Sequence, residues 1–157
     1  MRYLGLDLGT KTLGLAISDR LGTISSPYKV LRYSNVDNLI KELIEVIEKE
    51  KVDELVLGLP KNMNGSLGFA AERSMNFKEK LESVIDIKIH LIDERLSTKE
   101  AENILISADV SRKKRKKVID GMAASIILDT FLNKKGWEIW KKKKKGHLQL
   151  LMTKGKH

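Results

Sequence analysis

Apolar positions change their period along this chain, and each change marks an element. Residues 2–8 and 13–18 are short apolar runs separated by Gly9-Thr10-Lys11-Thr12, which predicts two strands joined by a tight hairpin connection. A third strand, roughly 28–33, follows the turn-like Asp19-Arg20-Leu21-Gly22, so the chain opens with a three-stranded antiparallel meander. The period then becomes helical: Val36, Leu39, Ile40, Leu43, Ile44 and Ile47 recur on one face, with Ser34 or Asn35 placed to cap the start. Leu55-Val56-Leu57-Gly58-Leu59 reads as a buried strand stopped by Pro60. A polar loop over 61–68 leads into a helix over about 67–83, and 85–92 reads as a fifth strand. Ser97-Thr98-Lys99-Glu100 has the pattern of a capping box and opens another helix. The basic run 112–117 interrupts it, and a last helix spans about 118–132.

Strand–helix–strand units favour parallel pairing with right-handed crossovers. The economical architecture is therefore α/β: a mixed five-stranded sheet, antiparallel at its hairpin edge, with helices on both faces. Residues 1–135 are expected to form one domain. Residues 136–157 read as a lysine-rich tail, solvated or disordered, in which Trp137 and Trp140 are the exception, suited to docking a short extension.

Composition narrows the class. The 157 residues, 41% hydrophobic and 32% charged, suit a soluble globular domain with a real core. No apolar run is long enough to span a bilayer, and Asp7 interrupts the first apolar stretch, unlike a secretory signal. Cysteine is absent, which excludes thiolate metal sites and disulfides and fits the cytoplasm. The net charge of +9 is uneven: residues 134–157 hold nine lysines and one glutamate, leaving the rest nearly neutral. That tail and the cluster Arg112-Lys113-Lys114-Arg115-Lys116-Lys117 point to a polyanionic partner; the plainer reading is a solubilising surface.

Three acid stations carry the candidate chemistry. Asp7 leaves the first strand in Asp7-Leu8-Gly9-Thr10, with Gly9 and Gly14 clearing space around it. Asp93-Glu94-Arg95 follows the fifth strand, where alternation lets only one of the two acids point inward easily. Asp120 stands in Asp120-Gly121-Met122-Ala123-Ala124, on a small-residue face suited to packing on a sheet. Each has an ordinary alternative, as a turn residue or a helix cap. In a parallel arrangement the ends of strands one, four and five open on one edge, which brings Asp7 towards the middle station. Unpartnered buried carboxylates are costly, and hard divalent cations offset that cost. Oxygen ligands select Mg2+ or Mn2+, and two such ions about 4 Å apart support phosphodiester cleavage. The loop Gly58-Leu59-Pro60 to Ser66 could present amides to a phosphate, but it lacks P-loop spacing. His90 falls in a strand, and His147 and His157 in the tail, so no Ser-His-Asp triad is supported.

These residues also resemble a known family. Leu4-Gly5-Leu6-Asp7-Leu8-Gly9-Thr10-Lys11-Thr12-Leu13-Gly14-Leu15-Ala16 is similar to the first motif of the YqgF (RuvX) family. Gly58-Leu59-Pro60, Asp93-Glu94-Arg95-Leu96-Ser97-Thr98 and Asp120-Gly121-Met122-Ala123-Ala124 resemble its later motifs, in the right order. The resemblance covers about residues 1–135 and leaves out the tail. It implies a ribonuclease H-like fold with strand order 3-2-1-4-5, related to Holliday junction resolvases, and a nuclease acting on pre-16S ribosomal RNA. It also implies that Asp7, Glu94 and Asp120 are the catalytic and metal-binding acids; Glu94 is preferred over Asp93 by resemblance, not by spacing.

The leading expectation is a metal-dependent endonuclease in 5′-end processing of pre-16S rRNA during ribosome biogenesis. Thr10, Lys11, Arg95 and Arg112, Lys113, Lys114, Arg115, Lys116 and Lys117 would contact nucleic acid, positioning its backbone rather than reading bases. The alternatives are a Holliday junction resolvase acting on branched DNA and a non-catalytic nucleic-acid-binding module. An actin-like ATPase, also hinted at by Asp-Leu-Gly-Thr, would need a second domain for which 157 residues leave no room. A monomer or a homodimer fits equally, and no membrane association is expected.

Overall fold

The computed structural model describes residues 1–62, 64–94 and 112–154; within the last span, 112–121, 137, 140 and 146–154 are described as backbone. Five strands form one sheet: β1 (Tyr3–Leu8), β2 (Thr12–Ser18), β3 (Ser25–Arg32), β4 (Glu54–Leu59) and β5 (Ile89–Asp93). Their order is β3-β2-β1-β4-β5. β1 pairs antiparallel with β2 and β2 with β3, whereas β4 runs parallel to both β1 and β5. Helices α1 (Val36–Glu50), α2 (Phe69–Val84) and α3 (Arg112–Lys154) complete the described elements. None of the described helices is long and apolar enough to cross a membrane.

Strand alternation divides the core in two. On one face Leu4, Leu6, Leu13, Leu15, Leu55 and Leu57 pack with Leu39 and Leu43 of α1 and with Phe77 and Leu81 of α2. On the other face Tyr3, Ala16, Val56 and Ile92 pack with Ala124, Ile127, Leu128 and Leu132 of α3. β1 is therefore apolar on both sides, as a central strand must be. Asn35 is the cap of α1: its side chain accepts hydrogen bonds from the amides of Asp37 (2.8 Å) and Asn38 (3.2 Å).

α3 lies close to β1 because Gly5 has no side chain. A Cβ at Gly5 would stand 2.8 Å from both the Ala124 carbonyl oxygen and Leu128 Cβ. Towards its C-terminus α3 meets the start of β1: Phe131 packs edge-on against Tyr3 and at a tilt against His90, while the Lys135 ammonium sits over the Tyr3 ring and bonds its hydroxyl. His90 also bonds Glu54 at 2.8 Å. The helix thus runs opposite to β1, and its earlier turns lead towards Asp7.

Several boundaries differ from the sequence reading. β3 begins at Ser25, earlier than expected, and carries Pro27 and a register shift between Leu15 and Ala16 of β2. An edge strand tolerates a residue that cannot donate a ladder hydrogen bond. β5 begins at Ile89 rather than 85. Ile85 and Ile87 do pack on the core, but from an extended connection ahead of the paired strand. The basic run 112–117 is itself helical and lies at the start of α3, which was expected to begin at about 118. The lysine-rich segment read as a solvated or disordered tail continues the same helix to Lys154, with residues 141–145 exposed. The helix expected to open at Ser97 lies outside the described residues.

Gly5→Ala should force α3 away from β1, because backbone and a Cβ, not flexible side-chain ends, meet the new methyl. The expected loss is about 1–3 kcal/mol, read as a lower urea midpoint with an unchanged slope.

Candidate active site

Asp7 lies on the α3 face of the sheet, since it follows Tyr3 and Gly5 at the two-residue spacing of a strand. Across the ladder it faces Gly14 of β2. On the other side Leu6 pairs with Leu57, so Gly58 is the next residue along beside Asp7. Two glycines therefore flank the carboxylate, and neither places a side chain against it.

Glu94 fills one of these gaps. It directly follows β5, and its amide donates to the Leu59 carbonyl at 3.3 Å, so the ladder geometry carries on through it. Parity places Glu94 on the side of His90 and Ile92, facing α3, whereas Asp93 is exposed and belongs to the opposite parity. A Cβ at Gly58 would collide with Oε2 of Glu94 and Cδ1 of Ile127. The sequence leaves Gly58 open as part of a phosphate-facing loop or of a simple turn; in the structure it vacates the space that the Glu94 carboxyl occupies. The sequence signal was the glycine itself, inside a strand otherwise made of large apolar residues.

The two carboxyls meet. Burial, the charge of Asp7, a hydrogen bond with Asp7 and the charge of Asp93 together push Glu94 up to about 8 from an ordinary value of 4.5. Burial and the neighbouring acids thus favour the protonated form of Glu94, which is hydrogen-bonded to Asp7. This donor set fits a hard divalent cation: two carboxyls are forced together where each lacks enough water, and positive charge between them would replace the proton. Among the described residues no group of three or more His, Cys, Asp or Glu side chains is placed to hold a metal ion.

Asp120 falls within the backbone of α3, one helical turn before Ala124, the residue whose carbonyl approaches Gly5. Thr10 and Lys11 are exposed in the β1–β2 connection. That connection is fixed from two sides, since Tyr33 donates its hydroxyl to the Gly9 carbonyl and its amide to the Lys11 carbonyl. Residues 112–117 form the opening turns of α3, and Arg95 lies outside the described residues.

The raised Glu94 value has a sign that can be worked out. The folded chain binds more protons than the unfolded chain between about 4.5 and about 8. In a chelator, stability should fall as pH rises through that window, and added Mg2+ or Mn2+ should restore it at the upper end. Glu94→Gln should flatten the dependence, measured as melting temperature against pH. Gly58→Ala should displace the Glu94 carboxyl and weaken Mn2+ binding about tenfold to a hundredfold by calorimetry, with the fold retained.

Comparison with known proteins agrees with this architecture. A family model described as "RuvX: Holliday junction resolvase" matches residues 1–134. A Geobacillus sp. (strain WCH70) protein named "Putative pre-16S rRNA nuclease" is 51% identical over 137 residues, covering 86% of this chain and 99% of its own length. A protein of the same name from Clostridium acetobutylicum is 47% identical over 133 residues, covering 85% and 98%. Among solved structures, Thermus thermophilus RuvC in complex with a Holliday junction substrate has a TM-score of 0.52 at 13% identity, over 81% of this chain and 91% of that one. The fowlpox virus Holliday junction resolvase has a TM-score of 0.50 at 15% identity, over 85% and 99%. The strand order and these likenesses give the fold as ribonuclease H-like. With the match over residues 1–134 and the identity to these relatives, the chain belongs to the RuvX family of resolvase-like nucleases.

Proposed function

We propose that this protein is a divalent-metal-dependent endonuclease that cleaves phosphodiester bonds in the 5′-end processing of pre-16S rRNA, in the cytoplasm, during ribosome biogenesis. The carrying observation is the pair of carboxyls, Asp7 and Glu94, pressed together at the end of β1 and β5 in the space left by Gly58. Names borne by relatives near 50% identity support the substrate class.

In this reading Asp7, Glu94 and Asp120 hold two Mg2+ or Mn2+ ions. Bound there, the ions would lower the pKa of water and neutralise phosphate oxygens, as phosphodiester hydrolysis requires. The protein contributes the rest. β1 and the residue that follows β5 fix Asp7 and Glu94 on one face, with Gly58 of β4 between them. Glu94 gives up its proton as metal enters, so affinity rises with pH. Gly58 leaves the room that the Glu94 carboxyl takes up beside Asp7, and Gly14 adds no side chain on the other flank, where a phosphate would approach. Thr10, Lys11, Arg95 and the 112–117 cluster hold the backbone on either side, and such contacts act on phosphate without reading sequence.

The family model's description favours a second reading, Holliday junction resolution on branched DNA. Both readings use the same acids, so substrate mapping separates them. Wild type and Asp7→Asn should be compared on precursor rRNA and on a four-way junction, with the metal varied. Asp7→Asn is expected to lower cleavage about a hundredfold or more, the scale of losing a group at the reacting centre, with nucleic-acid binding largely kept. Cleavage at wild-type rate in Asp7→Asn would sink the mechanism. Metal-dependent cutting of the junction alone would move the assignment to DNA, and salt-sensitive binding without cutting of either would leave a binding module.

A further inference from the structure

Helix α3 joins two basic blocks that are separate in the sequence. Residues 112–117 are all Lys or Arg, and 141–145 are all Lys. Between them, 118–140 hold two lysines against three acids, so the middle of the helix offers phosphate no continuous track. Both blocks are nevertheless parts of one helix, Arg112–Lys154. At about 1.5 Å per residue, Lys143 stands about 35 Å along the axis from Asp120.

The second block lies outside what the relatives share. The family model ends at residue 134, and relatives matched over 98–99% of their own length cover only 85–86% of this chain. Five successive lysines also turn through more than a full circle of the helix, so they cannot all face the domain. All five are exposed. Like charges three and four residues apart repel along a helix, and a polyanion relieves that repulsion.

We propose that residues 141–145 form a second phosphate-binding station, which α3 holds at a fixed distance from the acids so that it grips the duplex flanking the cut. Its occupant is the sugar–phosphate backbone of the same substrate. At the B-form rise of about 3.4 Å, the 35 Å spacing corresponds to roughly ten base pairs of DNA, and at the shorter A-form rise to roughly twelve of RNA. The near-neutral span 118–140 makes this a two-point contact, and affinity should therefore rise in a step, not gradually, with flank length. The inference rests on the nuclease reading for its substrate.

The test uses the full chain and a variant with Lys141, Lys142, Lys143, Lys144 and Lys145 all replaced by Gln, which keeps helix propensity. Binding is measured in a chelator, without cleavage, on hairpin RNAs and matching DNA hairpins whose duplex arm grows in steps from about four to about twenty base pairs. Wild type should gain about tenfold or more in affinity as the arm passes roughly ten base pairs of DNA or roughly twelve of RNA, and its salt slope should steepen by up to about 4. The variant should lose the step, keep wild-type affinity for the shortest arm and show the same circular dichroism apart from the final turns. An identical length profile in both proteins, or a smooth rise without a step in wild type, would overturn the proposal. So would lysine-dependent binding to phosphatidylserine vesicles with no effect on duplex binding. Cleavage, assayed separately with Mn2+, reports on the nuclease reading, since neither protein should cut if that reading fails.

Discussion

The contact between Asp7 and Glu94 is the unfavourable interaction around which this sheet is organised. Two carboxyls approach on a largely buried face, and one keeps a proton far above the ordinary carboxylate range. Nothing in either strand gains from this by itself. The arrangement persists because apolar packing on both faces fixes the strands: the leucines of β1 and β4 on one side, Tyr3, Val56 and Ile92 under α3 on the other. Once register and parity are fixed, the acids have no other place to go. Strain of this kind, held at one edge by stable packing elsewhere, is typical of sites built to take a ligand.

Three glycines complete the constraint. Gly5 admits the backbone of α3, Gly58 leaves the space that the Glu94 carboxyl and Ile127 occupy, and Gly14 stands beside Asp7 across the ladder. Gly5 and Gly58 both lie beneath α3, and Gly58 also lies beneath the Glu94 carboxyl. The position of α3 and the geometry of the acids are thus two results of the same small residues.

Much of this was legible in the sequence because strand and helix periods are strong signals. The five strands, their mixed pairing, α1 with its Asn35 cap, and Asp7 beside Gly14 all follow from alternation and turn chemistry. The start of β5 did not, because Ile85 and Ile87 alternate like strand residues while serving only as an extended, core-packed connection. α3 was read as shorter because runs of lysine look like solvent-exposed breaks; a helix needs backbone compatibility, which lysine provides, more than it needs an apolar face at every turn. The choice between Asp93 and Glu94 required the register of β5, which local spacing alone does not contain. Gly58 needed the partner strand before its role beside Glu94 was visible.

The edge strand β3 has a consequence for self-association. Its outer margin would otherwise be a row of unpaired backbone groups able to recruit a strand from another molecule. Pro27 removes one donor near the strand's middle, and the register shift against β2 distorts the row around it. Growth of the sheet by adding a copy along this margin is interrupted at that point, so the fold protects itself there against fibre-like stacking by backbone chemistry, without spending surface charge.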